Sequence, residues 1–330
     1  IILVVMLGDE VRRLVMFIAY KMQAASQPAA ATGKEISRSV FLSRLALILG
    51  GTVLGTFMYG ITNRYRYRVH RITLKYPNLP AAFKGMRIVQ VSDIHSGSFD
   101  NKKAVEHGVE MVMEEKPDLI LFTGDLVNNK AEEIQPYTDL FSKFNAPLGV
   151  FSTLGNHDYG DYVQWASKEE KTKNLDWLKQ THAKMGWRLL MNEHVILQQG
   201  NDQIALVGIE NWGAKAGFPK YGDMKAAYAG LPEKNIPFKI LLSHDPSHWD
   251  AQVRTEYPDV DLTLSGHTHG MQMGIEIPGF KWSPSQYVYK EWAGLYHEGK
   301  QYLYVNRGFG FLGYPGRLGI LPEITVIDLV

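Results

Sequence analysis

Leu119-Ile120-Leu121-Phe122-Thr123-Gly124-Asp125 decides the reading of this 330-residue chain. An apolar run of strand length ends on a glycine and a carboxylate, which places Asp125 just past the end of a buried strand. The device recurs. Arg87–Val91 leads to Asp93-Ile94-His95, and 149–154 leads to Gly155-Asn156-His157-Asp158. Lys239–Leu242 leads to Ser243-His244, and Leu262–Leu264 to Gly266-His267-Thr268-His269-Gly270. Carboxylate, amide and imidazole are the nitrogen and oxygen donors that hold divalent transition metals. A pair of such ions is a standard means of hydrolysing phosphate esters, because it activates a water and neutralises phosphate charge together. Residues two apart in extended chain point the same way, so Asp93 and His95 are expected to reach one metal from one loop. His267 and His269 share that spacing, each able to reach a different metal. Gly124, Gly155, Gly266 and Gly270 leave room where backbone must approach an ion.

The series D-x-H, G-D, G-N-H-[DE], a lone His and G-H-x-H resembles the calcineurin-like metallophosphoesterase superfamily, in its membrane-anchored bacterial branch. All five blocks occur in that order between Pro77 and Val330. The resemblance implies an α/β fold, a two-sheet β-sandwich flanked by helices with metals at the strand ends, preceded by an N-terminal membrane-helix region. It implies that Asp93, His95, Asp125 and His269 bind one metal, and that Asp125, Asn156, His244 and His267 bind a second. Asp125 then bridges, offering one oxygen to each ion. The cofactor is two divalent metal ions, Mn, Zn or Fe, among which a mixed N/O donor set does not choose. The family places His157 beside the leaving group, as general acid or as donor to the transferring phosphate. Asp158 joins it as a catalytic candidate that orients His157 or a ligand, with a turn residue as the alternative. Arg307 follows a late strand toward the same edge. It is the substrate-binding candidate, able to grip phosphate with two N–H groups, unless it serves a structural ion pair.

A net charge of +1 gives no argument for a nucleic-acid partner. With no cysteine, neither a disulfide nor a thiolate ligand is available. The chain begins at Ile1, which is expected to continue a longer protein. Residues 1–62 read as a membrane-anchoring region, 63–76 as a basic linker and 77–330 as the catalytic domain. In the first of these, 1–8 is apolar like the tail of a membrane helix, 9–22 has the spacing of an amphipathic surface helix, and 23–33 is linker-like. Residues 45–61 carry no charge and include Gly50, Gly51 and Gly55, the pattern of a short transmembrane helix rather than a soluble one. Ser37–Ser43 partly resembles the twin-arginine export motif, with Ser39 and Ser43 where Arg and Lys are expected. Arg64, Arg66, Arg68, Arg71 and Lys75 suit acidic lipid headgroups or a solvated linker equally. The basic residues from Arg12 to Arg44 favour a cytoplasmic N-terminal side. The catalytic domain is therefore expected on the outer face of the bacterial cytoplasmic membrane.

Helices are expected at 102–115 and at 172–184, the second with Trp177 and Leu178 on its apolar side. A hairpin is expected around Gly200-Asn201-Asp202, and closing strands at 302–305 and 324–329. His70, His107, His182, His194, His248 and His297 read as surface or satisfied core, and Trp212, Trp282 and Trp292 as core. The resulting expectation is an enzyme that hydrolyses a phosphoester or pyrophosphate bond of a membrane- or envelope-related substrate, a phosphorylated small molecule or a lipid. A nucleotide-linked lipid precursor is one candidate. The alternatives are a non-catalytic binding scaffold of the same fold, and a metallohydrolase of carbon esters or amides.

Overall fold

The apolar runs become strands buried on both faces, as expected of parallel sheets covered on each side. The computed structural model describes residues 15–19, 38–215 and 217–330. The expectations for 1–14 and for 20–37 lie outside the described residues. Two compact units divide between Met58 and Tyr59.

In the second unit, one six-stranded sheet contains β1 (Arg68–Leu74), β2 (Arg87–Val91), β3 (Leu119–Phe122), β4 (Val150–Ser152), β5 (Arg188–Leu189) and the last strand, β14 (Glu323–Leu329). Their order is β1-β14-β2-β3-β4-β5, with β2 to β5 parallel. The second six-stranded sheet contains β6 (Glu193–Gln199), β7 (Asp202–Gly208), β8 (Lys239–Leu242), β9 (Leu262–Ser265), β12 (Gly294–Glu298) and β13 (Gln301–Val305), in the order β12-β13-β9-β8-β7-β6. A separate two-stranded hairpin pairs β10 (Ile275–Ile277) with β11 (Phe280–Trp282).

Alternation assigns the layers. Ile88, Leu121 and Ile327 of the first sheet meet Leu206, Ile240, Leu242 and Leu264 of the second, forming the core between the sheets. Val89, Val91, Ile120 and Phe122 point the other way, onto Val105, Val109 and Val112 of helix α2 (Lys102–Glu114) and Leu178 of α3 (Lys168–Lys184). Val207, Leu241 and Val305 cover the far face of the second sheet with Met224 and Trp249. This is the expected two-sheet sandwich flanked by helices. Trp177 departs from expectation. It is 38% exposed, because only Leu178 and its helical neighbours Asn174, Thr181 and His182 lie on the inward stripe of α3.

Helix α1 (Arg38–Thr62) is longer than the apolar run that announced it. Its 24 residues from Ser39 to Thr62 are long and apolar enough to cross a membrane. At 1.5 Å per residue they reach about 36 Å, against a hydrocarbon core of about 30 Å. Thr52 and Thr56 return their hydroxyls to the carbonyls of Ile48 and Thr52, so neither hydroxyl is left unpaired on the apolar surface. The basic segment is no linker throughout. Arg68–Leu74 forms β1, an edge strand pairing in parallel with β14 along its whole length. Its arginines, Arg68 and Arg71, are exposed, and charge of this kind protects a sheet edge.

Candidate metal centre

Each strand that ends in a candidate donor delivers it to the same end of the sandwich. Asp93 and His95 follow β2, Asp125 follows β3, Asn156 follows β4, His244 follows β8, and His267 and His269 follow β9. The chain is held in an unusual backbone shape there. Asp93, His95, Asp125, His267 and His269 all have positive φ, at 51°, 47°, 60°, 72° and 50°. Such left-handed residues are uncommon outside glycine and concentrate at functional sites, where packing holds them. Asp93 and His95 therefore converge through tight turns, not through the extended alternation that their spacing suggested. The glycines act as expected: a Cβ on Gly155 would collide with the Asp125 carboxylate, and one on Gly266 with Asp93.

The donors form two groups, Asp93–His95–His269, all buried, and Asp125–His244–His267, in which only His267 is partly exposed. In the first, His95 Nε2 and His269 Nε2 are 3.0 Å apart, and His269 Nε2 is 3.3 Å from Asp93 Oδ1. In the second, Asn156 Oδ1 lies 3.1 Å from His244 Nε2 and 2.8 Å from His267 Nδ1. Asp125 joins the groups. Its Oδ2 lies 3.5 Å from His95 Nε2 and 3.2 Å from His244 Nε2, whereas Oδ1 accepts from the backbone N–H of His157 at 2.8 Å. One oxygen thus faces both groups, a correction to the expected one-oxygen-each arrangement. Crowding lone pairs in a dry interior is unfavourable unless a cation neutralises them. These donors fit divalent metal ions.

Neighbouring groups orient the donors. His244 Nδ1–H donates to the Thr123 carbonyl at 2.8 Å, leaving Nε2 for the centre. His267 presents Nδ1 and turns Nε2 to Tyr289 Oη at 2.8 Å, and Tyr289 in turn donates to Asp245 at 3.4 Å. Such outer partners fix imidazole orientation and raise its basicity. Burial drives His95 down to about 3. Burial opposes charge on His244 as well, but the adjacent Asp125 and Asp93 carboxylates carry it up to about 10. The fully buried Arg317 donates to the carbonyls of Arg307, Gly308, Gly310 and His269, tying the last loop to the centre.

His157 lines the cavity over the centre, of about 200 Å³, and its Nδ1–H donates to Asn128 O at 2.8 Å, so Nε2 faces the space. Tyr162 packs against it with ring centres 4.6 Å apart and planes tilted by 44°, and accepts a hydrogen bond from Asn156 Nδ2. Asp158 does not touch the His157 ring. Its carboxylate accepts from the backbone N–H groups of Asp125, Leu126, Val127 and Gly155, at 2.8 to 3.2 Å, and so holds the loop that carries Asp125. Arg307 is a correction. It is 3% exposed, and its guanidinium is bound by Glu323 and Glu276, each at 2.5 Å. Two carboxylates hold its two terminal nitrogens, and it does not line the cavity.

Of the other buried histidines, His248 is satisfied by Ser243 and Gln252 as expected, whereas His182 bonds Ser152 through Nδ1 and leaves its buried Nε2 without a hydrogen-bond partner. Sequence reasoning missed Tyr162, Asp245, Tyr289 and Arg317. Asp245 carried a signal as the neighbour of His244, and Tyr162 lies six residues after Asn156, whereas Tyr289 and Arg317 arrive from distant segments.

The model of the calcineurin-like phosphoesterase family matches residues 86–271. The chain belongs to this family. As a calcineurin-like phosphoesterase it is a metal-dependent hydrolase of phosphoesters. It is 33% identical over 308 residues to YkuE of Bacillus subtilis, an uncharacterized metallophosphoesterase, covering 90% of this chain and 98% of the relative. It is 30% identical to a transmembrane protein with metallophosphoesterase domain of Danio rerio, covering 86% of this chain and 62% of the relative. It is also 28% identical to the UDP-2,3-diacylglucosamine pyrophosphatase LpxG of Chlamydia muridarum, covering 74% and 83%.

Proposed function

We propose that this phosphoesterase works with two divalent ions, Mn, Zn or Fe, and cleaves a phosphodiester or pyrophosphate bond in a membrane-associated substrate. The observation that carries the reading is the sharing of Asp125 Oδ2 between two donor groups beneath one cavity. Asp93, His95, Asp125 and His269 hold one ion, and Asp125, Asn156, His244 and His267 the other. Bound there, the ions supply Lewis acidity toward phosphoryl oxygen and an acidified water. His157 Nε2 reaches into the cavity and, as imidazolium, donates to the leaving oxygen or the transferring phosphate. The Asn128 carbonyl and the Tyr162 ring fix its orientation. Asp158 positions Asp125 through the backbone and takes no proton from substrate.

The membrane part rests on helix α1 and on relatives named as a transmembrane protein and as a lipid-precursor pyrophosphatase. We place the catalytic unit on the outer face of a bacterial cytoplasmic membrane. Protease added to intact spheroplasts then cuts the chain after Tyr76, and complete protection until lysis refutes that side. The substrate class is tested by screening Mn²⁺-loaded full-length protein on phosphomonoesters, phosphodiesters, nucleotide-linked lipid pyrophosphates and carboxylate esters. Turnover of diesters or pyrophosphates is expected, and turnover of carboxylate esters alone overturns the assignment.

A further inference from the structure

After Gly270 the chain leaves the metal loop, makes the β10–β11 hairpin and returns, where Ser283 Oγ donates to the Gly270 carbonyl at 2.6 Å. Directly opposed residues of an antiparallel ribbon share a face. Ile275 opposes Trp282 and Ile277 opposes Phe280 on one face, and Glu276 opposes Lys281 on the other. A surface hairpin ordinarily turns its apolar face to the protein. This one is reversed. Glu276 pairs with the buried Arg307, and Lys281 donates to the Ala293 carbonyl while lying over the Tyr296 ring at 4.7 Å. Ile275, Ile277 and Phe280 are left 50%, 58% and 53% exposed. Tyr287, 76% exposed, extends the patch, with its hydroxyl 3.5 Å from Trp282 Nε1. A continuous apolar patch of this kind marks a surface that meets something apolar.

The root of the hairpin identifies what that is. The second unit begins at Tyr59, in the last turn of the helix that is able to cross a membrane. Within this unit, Arg317 N donates to Gly60 O at 2.9 Å. The next residue, Leu318, bridges Met273, and its carbonyl accepts from Gly274 N at 2.8 Å. Helix exit and hairpin root are therefore held by adjacent residues of one segment. Aliphatic side chains beside Trp and Tyr, whose rings are apolar and whose tips are polar, are the composition that a membrane interface takes. Met271 and Leu312, on the wall of the catalytic cavity, adjoin the same root, with Leu312 N donating to Gln272 Oε1 at 2.6 Å.

We propose that the outer face of the β10–β11 hairpin seats in the interfacial layer of the bilayer that α1 crosses, and holds the mouth of the metal centre against the membrane surface. The inference rests on the anchoring proposed above and adds the surface that meets the lipid. The cleaved bond then lies at headgroup level, presented from the membrane plane.

The chain has no cysteine, so one introduced cysteine takes a nitroxide label uniquely. Full-length Ile277→Cys and, at the exposed tip of the β6–β7 hairpin, Asn201→Cys are reconstituted in phosphatidylcholine–phosphatidylglycerol nanodiscs. Collisions with oxygen are expected to rise, and those with a water-soluble nickel chelate to fall, at 277 relative to 201. Equal nickel accessibility at the two sites overturns the proposal. So does dipolar broadening between two labels at 277, which would mean that a second copy covers the face. Collision rates require no turnover, so this outcome is independent of the substrate reading. In a second arm, Ile277→Asp with Phe280→Asp keeps the hydrolysis of soluble bis-p-nitrophenyl phosphate and loses severalfold on CDP-diacylglycerol in the same discs. An equal fall on both, or no fall on either, counts against the hairpin.

Discussion

Replacing Asp158 by Asn changes one atom and unsettles the loop that carries Asp125. Oδ2 accepts from Asp125 N at 2.9 Å and Gly155 N at 2.8 Å, and Oδ1 from Leu126 N at 2.8 Å and Val127 N at 3.2 Å. An amide keeps its oxygen on one pair and turns an NH₂ on the other. Two buried N–H groups then lose their acceptor, at about 1–3 kcal/mol each, and the surviving bonds lose their charge. The expected loss is roughly 4 kcal/mol, or roughly 10 °C in the unfolding midpoint for a unit of this size. The assay is thermal unfolding of the detergent-solubilised, metal-stripped full-length protein, followed by metal analysis after reloading. Metal content should fall too, because the Asp125 N–H is one of the groups released or displaced. A midpoint within about 2 °C of wild type, with metal content unchanged, would refute the view that Asp158 fixes the Asp125 loop.

Three further outcomes are expected. His157→Ala retains its metals and loses about 10²–10⁴-fold in rate. The loss shrinks on nitrophenyl esters if His157 is an acid, and an equal loss on good and poor leaving groups means transition-state charge stabilisation instead. Arg307→Met leaves the fully buried Glu323 without its cation and destabilises by about 3–5 kcal/mol, while the KM of the remaining folded enzyme is unchanged. A large rise in KM at unchanged stability would return Arg307 to the substrate. Burial alone would raise Glu323, but Arg307 and the hydroxyls of Thr325 and Tyr304 hold it down to about 2, from an ordinary 4.5. A depressed carboxylate contributes stability above its unfolded pKa and loses it as pH falls through the folded one, so about 3 kcal/mol disappears between pH 4.5 and 2. Midpoints measured across that window should fall less steeply for Glu323→Gln, and parallel curves would contradict the linkage.

Much of the centre was legible because its signals are local. A buried parallel strand reads as a short apolar run, and here β2, β3, β4, β8 and β9 each end within two to four residues of a donor. What stayed hidden depends on contacts between distant segments. Arg68–Leu74 looks like a charged linker because its partner, β14, lies at the far end of the chain, and only that pairing makes it a strand. Arg307 carries the type and position of a phosphate ligand, and nothing in the sequence announces that Glu276 and Glu323 close on it. Spacing brought Asp93 and His95 together correctly but for the wrong reason, since positive φ, not extended alternation, turns them inward. The reversed hairpin was invisible for a related cause: period-two alternation shows that a strand has two faces, and tertiary packing decides which one points inward.

The central claim is a centre for two ions that share Asp125. Its most direct test is the metal content of full-length protein reloaded with Mn²⁺ and measured by elemental analysis alongside Asp125→Ala and His269→Ala. The account predicts two ions per wild-type chain, none in Asp125→Ala and one in His269→Ala. A wild-type protein that retains one ion or none after reloading, or an Asp125→Ala protein that keeps both, would contradict it.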